Sequence, residues 1–174
     1  MSRHAQSAWS FAKTVLSVGP VVVAINDLLV SMCEVTGRSM QPTLNPQGSF
    51  ANDRVVEDKL SPLLGRFQRG DVVVLLSPED PHSRIVKRVI ALEGDWVSHT
   101  PRDDVTRVPR GHCWVEGDNP GMSMDSASLY GPVPLALIEG VVRHVVWPIS
   151  RIGKVESKQA RGRVVLRRGA VDNI

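Results

Sequence analysis

Cysteine is scarce in this chain: Cys33 and Cys113 are the only two in 174 residues, and no CxxC pair exists. That excludes a zinc knuckle or a dithiol redox motif. Cys33 ends an apolar segment and Cys113 lies in a predicted strand, so both read as small buried side chains rather than as a disulfide. Aromatic residues are also few, at 5%, with one tyrosine and three phenylalanines. A nucleic-acid platform needs exposed aromatics interleaved with Arg and Lys, so no nucleic-acid partner is expected. The five histidines have no HExxH spacing, and neither a metal site nor a cofactor is expected. Internal repeats and low-complexity tracts are absent, which excludes a solenoid.

What is present is an ordinary globular composition, 42% hydrophobic and 22% charged, in a chain long enough for one domain with a real core. The formal net charge is +3. Much of the basic excess lies at the end, in Arg151, Lys154, Lys158, Arg161, Arg163, Arg167 and Arg168, so residues 150–174 read as a solvated, irregular basic tail with one candidate strand at Val164-Val165-Leu166. At the other end, residues 1–13 carry Arg3 and Lys13 and no acid. Residues 14–35 are rich in Val, Leu, Ala and Ile, close in length to the ~20 residues that cross a bilayer. Asn26 and Asp27 interrupt this run near its C-terminal end, and no small-residue cleavage site precedes Glu34. The segment is expected to be a single membrane-anchoring helix, a contact with membrane lipid, with the basic N-terminus on the cytoplasm-like side.

After residue 36 helix signals are poor and strand signals are good. Asp71–Leu76 is a β-branched run between Gly70 and Pro78, and Arg84–Leu92 is another, closed by Glu93-Gly94-Asp95. Trp96–Ser98 and His112–Glu116 follow as short strands, and Tyr130–Trp147 holds further strand-like runs. Leu60–Phe67 and Pro101–Pro109 read as loops. Many short strands punctuated by Gly and Pro predict a mainly β domain over residues 36–149, barrel-like or built on a folded sheet.

Three segments carry candidate chemistry. Ser39 follows Gly37 and precedes Pro42. The glycine allows close approach of a substrate backbone, and the proline stops the loop from continuing into a helix. Lys87 lies in a β-branched run, and strand alternation puts Ile85 and Val89 on its own face while Val86, Arg88 and Ile90 take the other. Desolvation by such neighbours lowers a lysine pKa, and only a neutral lysine can take a proton from serine. The third segment, Gly117–Ser126, is a polar loop whose hydroxyls can orient a lysine amine.

These segments, with Arg69-Gly70-Asp71-Val72-Val73, occur in an order that resembles the type I signal peptidases, membrane-bound serine–lysine proteases. The resemblance runs from Thr36 to Pro148. It is strongest to the branch that works at the mitochondrial inner membrane as a pair of related subunits. It implies a signal-peptidase-like catalytic domain, Ser39 as nucleophile and Lys87 as general base. It further implies Ser123 as the hydroxyl that positions the amine and Asp125 as structural support. The substrates it implies are presequence-bearing precursors, cut in the intermembrane space, and the partner it implies is a related protease subunit. Two departures matter. Ala127 stands where many relatives have an arginine that pairs with the aspartate of this loop, so Arg88 is the expected substitute. Gly37 has no side-chain donor, so the oxyanion hole is expected to rest on backbone N–H groups, that of Ser39 first.

Overall fold

The computed structural model describes residues 29–98, 105–158 and 165–166, together with positions 13, 17 and 18. In chain order the strands are β1 (Val30–Glu34), β2 (Arg54–Asp58), β3 (Val72–Leu76), β4 (Arg84–Ala91), β5 (Trp96–Ser98), β6 (Val105–Arg107), β7 (His112–Glu116), β8 (Val133–Pro134), β9 (Ile138–Trp147), β10 (Gly153–Lys154) and β11 (Val165–Leu166). The main sheet is antiparallel, in the order β1-β2-β9-β3-β4-β7-β8, with β10 added beside β9. A smaller sheet has the order β11-β5-β6.

The centre of the main sheet is apolar on both faces. From β3 and β4, Val72, Val74 and Val86 face one core cluster with Val35, Met40, Leu44 and Val55. Val73, Leu75, Ile85 and Val89 face the other, with Cys113, Val115 and Val141. This is why Asp71–Leu76 reads as a continuous hydrophobic run and not as an alternating one. The sheet curls. Strands lie ~4.8 Å apart, so β2 and β4, separated by β9 and β3, would be ~14 Å apart if flat. Yet Arg84 of β4 holds the fully buried Glu57 of β2 with two hydrogen bonds of 2.8 and 2.7 Å.

The mainly β expectation is borne out, with local differences. Most of the segment 14–35 lies outside the described residues, but its last part, Val30–Glu34, is strand β1. The reason is its period of two: Ser31 donates to Glu57 and Cys33 packs on the core, while Val30 and Met32 are exposed. Among the described residues no helix is long and apolar enough to cross a membrane. The stretch read as a loop at Leu60–Phe67 begins with one turn of helix, α1 (Leu60–Leu63). The stretch read as a loop at Pro101–Pro109 contains β6, paired to β5. Tyr130, the first residue of the last strand-like stretch, instead closes a π-type turn, Ser126–Tyr130. In the tail the candidate strand at Val164–Leu166 is present as β11, paired with β5, and a second strand not expected there, β10, pairs with β9.

Candidate active site

Ser39 lies in a turn after β1 and is half-buried. Its loop is held by its own apolar residues, since Met40 and Leu44 are buried in the core. It is also locked by Asn45, which adopts a left-handed φ of 49°, a region asparagine tolerates better than most residues. The Asn45 side chain donates to the carbonyls of Val35 (2.6 Å) and Gly37 (3.2 Å) and accepts from the Asp53 N–H (2.7 Å). The Asp53 carboxylate accepts in return from the Asn45 N–H (2.8 Å). Gly37 has φ 87° and open space around its Cα, so the backbone before Ser39 is bare.

Lys87 is 4% exposed. It lies between Ile85 and Val89 on β4 and opposite Val73 of β3. Its amine donates to Ser123 Oγ at 2.8 Å, and that hydroxyl donates to Asp125 Oδ2 at 2.6 Å. Burial pushes the Lys87 pKa down, and the nearby Asp125 charge draws it only partly back. Asp125 does more than face Ser123. It accepts from the Gly117 N–H (3.0 Å) and caps the turn that follows through Ala127 (3.1 Å) and Ser128 (3.3 Å). The Ser128 hydroxyl completes a capping box by accepting from the Asp125 N–H (2.9 Å).

The two loops meet at Gly117. A Cβ there would overlap the Ser123 hydroxyl and the Ser39 carbonyl, so only glycine lets them come together. Asn119 ties the same junction, giving its N–H to the Ser39 carbonyl (2.9 Å) and its side-chain amide to the Arg38 carbonyl (3.2 Å). Among the described residues Ser39 and Lys87 make no direct hydrogen bond. Their segments are brought side by side through Ser123 and Gly117.

Arg88 is placed differently from expectation. It does not pair with Asp125. It lies on the opposite face of β4 from Lys87 and grips Asp118 with two hydrogen bonds of 2.7 and 2.6 Å. It also donates to the Gly70 carbonyl (2.5 Å) and to the Thr43 hydroxyl (3.4 Å). Strand alternation is the reason: Asp125 belongs to the Lys87 side. Burial pushes the Asp118 carboxyl up, but hydrogen bonds from Arg88 and Thr43, with the Arg88 charge, hold it below the usual carboxylate range. Asn45, Asp118 and Asn119 escaped the sequence reading because Asn-Pro and Asp-Asn-Pro-Gly look like plain turns. Among the described residues no cluster of His, Cys, Asp and Glu could hold a metal.

A buried amine of lowered pKa, oriented by a hydroxyl beside a serine-bearing turn, is an arrangement for activating a serine. Comparison with known proteins gives the family. The family described as "Signal peptidase, peptidase S26" matches residues 8–106. "Mitochondrial inner membrane protease subunit 2" of Mus musculus is 44% identical over 151 residues, covering 85% of each chain. The Schizosaccharomyces pombe protein of that name is 37% identical over 153 residues, 86% of this chain and 83% of its own. "Mitochondrial inner membrane protease subunit 1" of Mus musculus is 44% identical over 128 residues, 71% of this chain and 72% of its own. The chain therefore belongs to the signal peptidase family, peptidase S26, and is a serine peptidase.

Proposed function

We propose that this chain removes N-terminal sorting presequences from precursors as a subunit of a mitochondrial inner membrane protease, with Ser39 as nucleophile and Lys87 as general base. The observation that carries this reading is the Lys87 amine, buried among Ile85, Val73 and Val89 and held at 2.8 Å by Ser123. Neutral Lys87 takes the Ser39 proton as the serine oxygen attacks the scissile carbonyl. The proton passes to the leaving amine, and an acyl-enzyme remains. Lys87 then draws a proton from water, which releases the acid product and restores Ser39. The oxyanion is received by backbone N–H groups at the turn, that of Ser39 first. Ser123 orients the amine and Asp125 fixes Ser123. Arg88 acts from the other face of β4, through Asp118.

The names of the relatives support the compartment, and the existence of related subunits 1 and 2 supports a heterodimer. In this reading the apolar stretch that begins at residue 14 anchors the chain, ending before β1, and the catalytic domain faces the intermembrane space. The chain is read as the subunit 2 type. Replacement of the cell's own copy by Ser39→Ala tests the assignment. Accumulation of an uncleaved presequence-bearing precursor, at normal levels of mutant and partner, is expected. Normal processing would instead make this chain a non-catalytic stabilising subunit. Activity without any related subunit would favour a bacterial-type signal peptidase.

A further inference from the structure

The segment Gly153–Lys158 lies against the back of the site. β10 pairs with His144 and Val145 of β9, and the Val155 N–H continues the contact to the Arg143 carbonyl at 2.9 Å. Val155 itself packs against the Met40 and Leu44 core cluster. The next three residues each touch the Arg88 neighbourhood. The Glu156 carbonyl accepts from Arg88 Nη1 (3.2 Å), the Ser157 hydroxyl donates to the Arg69 carbonyl (3.3 Å), and the Lys158 N–H donates to the Gly70 carbonyl (3.2 Å). Gly70 has φ 92°, and a Cβ there would lie 2.7 Å from Ser157 Oγ and 2.8 Å from the Lys158 carbonyl oxygen. Backbone meets backbone at this point. Between this segment and the Ser39 loop lies a cavity of about 280 Å³ bordered by Pro42, Thr43, Arg151 and Glu156.

We propose that Val155–Lys158 is a positioning strap for the catalytic loops, acting through Arg88. A guanidinium is planar, so fixing one nitrogen fixes the fork. Nη1 is fixed by two carbonyls, Gly70 from the body and Glu156 from the strap, and Lys158 bears on the same Gly70 carbonyl. The other two nitrogens hold Asp118, whose neighbour Asn119 holds the Ser39 carbonyl. The path therefore runs from strap to guanidinium, to Asp118-Asn119, to Ser39. Removal of the strap frees one side of the guanidinium without touching Lys87 or Ser123. The proposal rests on Ser39 and Lys87 being the catalytic pair.

The test compares the full-length enzyme with a chain ending at Val155, which keeps β10 and the Val155 packing; a chain ending at Lys158, which also loses β11 but keeps the strap, is the baseline for the fall. All three are assayed on one presequence peptide, with and without Arg88→Lys. A positioning strap predicts about a tenfold fall in kcat with KM unchanged, and little further fall when truncation is added to Arg88→Lys, because coupled residues are not additive. Unchanged kcat, or a full tenfold added to the Arg88→Lys loss, overturns it. Should the shortened chain not fold, the full-length enzyme decides by amide exchange at Lys158 before and after acylation of Ser39 by a peptide-based inhibitor. Coupling is reciprocal, so acylation slows that exchange severalfold. Unchanged exchange on an enzyme whose label is mapped to Ser39 overturns the strap. Label found elsewhere, with cleavage intact, overturns the Ser39 assignment, and the strap falls with it because it rests on that pair.

Discussion

Lys87 and Arg88 are neighbours on one strand and almost equally buried, at 4% and 3% exposure. They are treated in opposite ways. On one face of β4 the amine meets apolar side chains and a single hydroxyl, and burial lowers its pKa. On the other face the guanidinium receives a two-pronged carboxylate, two carbonyls and a hydroxyl. Burial alone does not decide what a cation does; its partners do. The Lys87 surroundings are under-supplied with acceptors, which favours the neutral amine that the proposed base role needs. The Arg88 surroundings are fully supplied, which makes the residue a fastener.

Exchange of the two cations' chemistry breaks this comparison most severely. In Lys87→Met, similar in size but unable to take a proton, loss of general-base catalysis costs about 10²–10⁴-fold in kcat. The fold should survive, as judged by circular dichroism. Arg88→Leu should act the other way, on stability first. Removal of one member of a buried pair costs about 3–5 kcal/mol, to be read from urea unfolding. A Lys87 variant that unfolds, or an Arg88 variant as stable as the parent, would reverse the roles of base and fastener.

Ser123→Ala is expected to lower kcat about ten- to hundredfold, from the ~1–3 kcal/mol cost of a buried donor left without its partner, with partial recovery in Ser123→Thr. Asp125→Asn weakens the cap of the following turn, and about 1 kcal/mol of stability should be lost. The mildest test is pH. Cleavage should rise as pH rises through the lowered Lys87 pKa and level off above it. For stability the sign is set by proton binding. Between the lowered folded value and the ordinary unfolded value, the unfolded chain holds the extra proton, so stability increases with pH across that window. Lys87→Met should therefore stabilise the protein at neutral pH, by an amount that shrinks as pH approaches the unfolded lysine value. A pH-independent difference between the two proteins would mean that Lys87 does not titrate in that window.

The strands that carry this contrast are legible in the sequence. The expected Arg84–Leu92 and the observed Arg84–Ala91 differ by one residue, and His112–Glu116 agrees throughout. Alternation of β-branched residues fixes both faces of β4, and the same rule separates Arg88 from Asp125. What sequence hides are long-range partners. Val30–Glu34 continues an apolar run, and its period of two gains meaning only from its pairing with β2. Asp118 looks like a turn residue until Arg88, thirty positions earlier, is seen to hold it. In the tail the basic charge is the conspicuous feature, whereas the backbone does the fastening.

The strand order has one more consequence. β2 and β3 are neighbours in sequence but not in the sheet, because β9 lies between them. A chain emerging from its N-terminus has Ser39 and Lys87 in hand long before Ile138–Trp147 arrives to join the two halves. The latch on Arg88 comes later still, at Glu156. Topology thus works as a timer: the chain carries both residues of the proposed pair before the framework that aligns them can close.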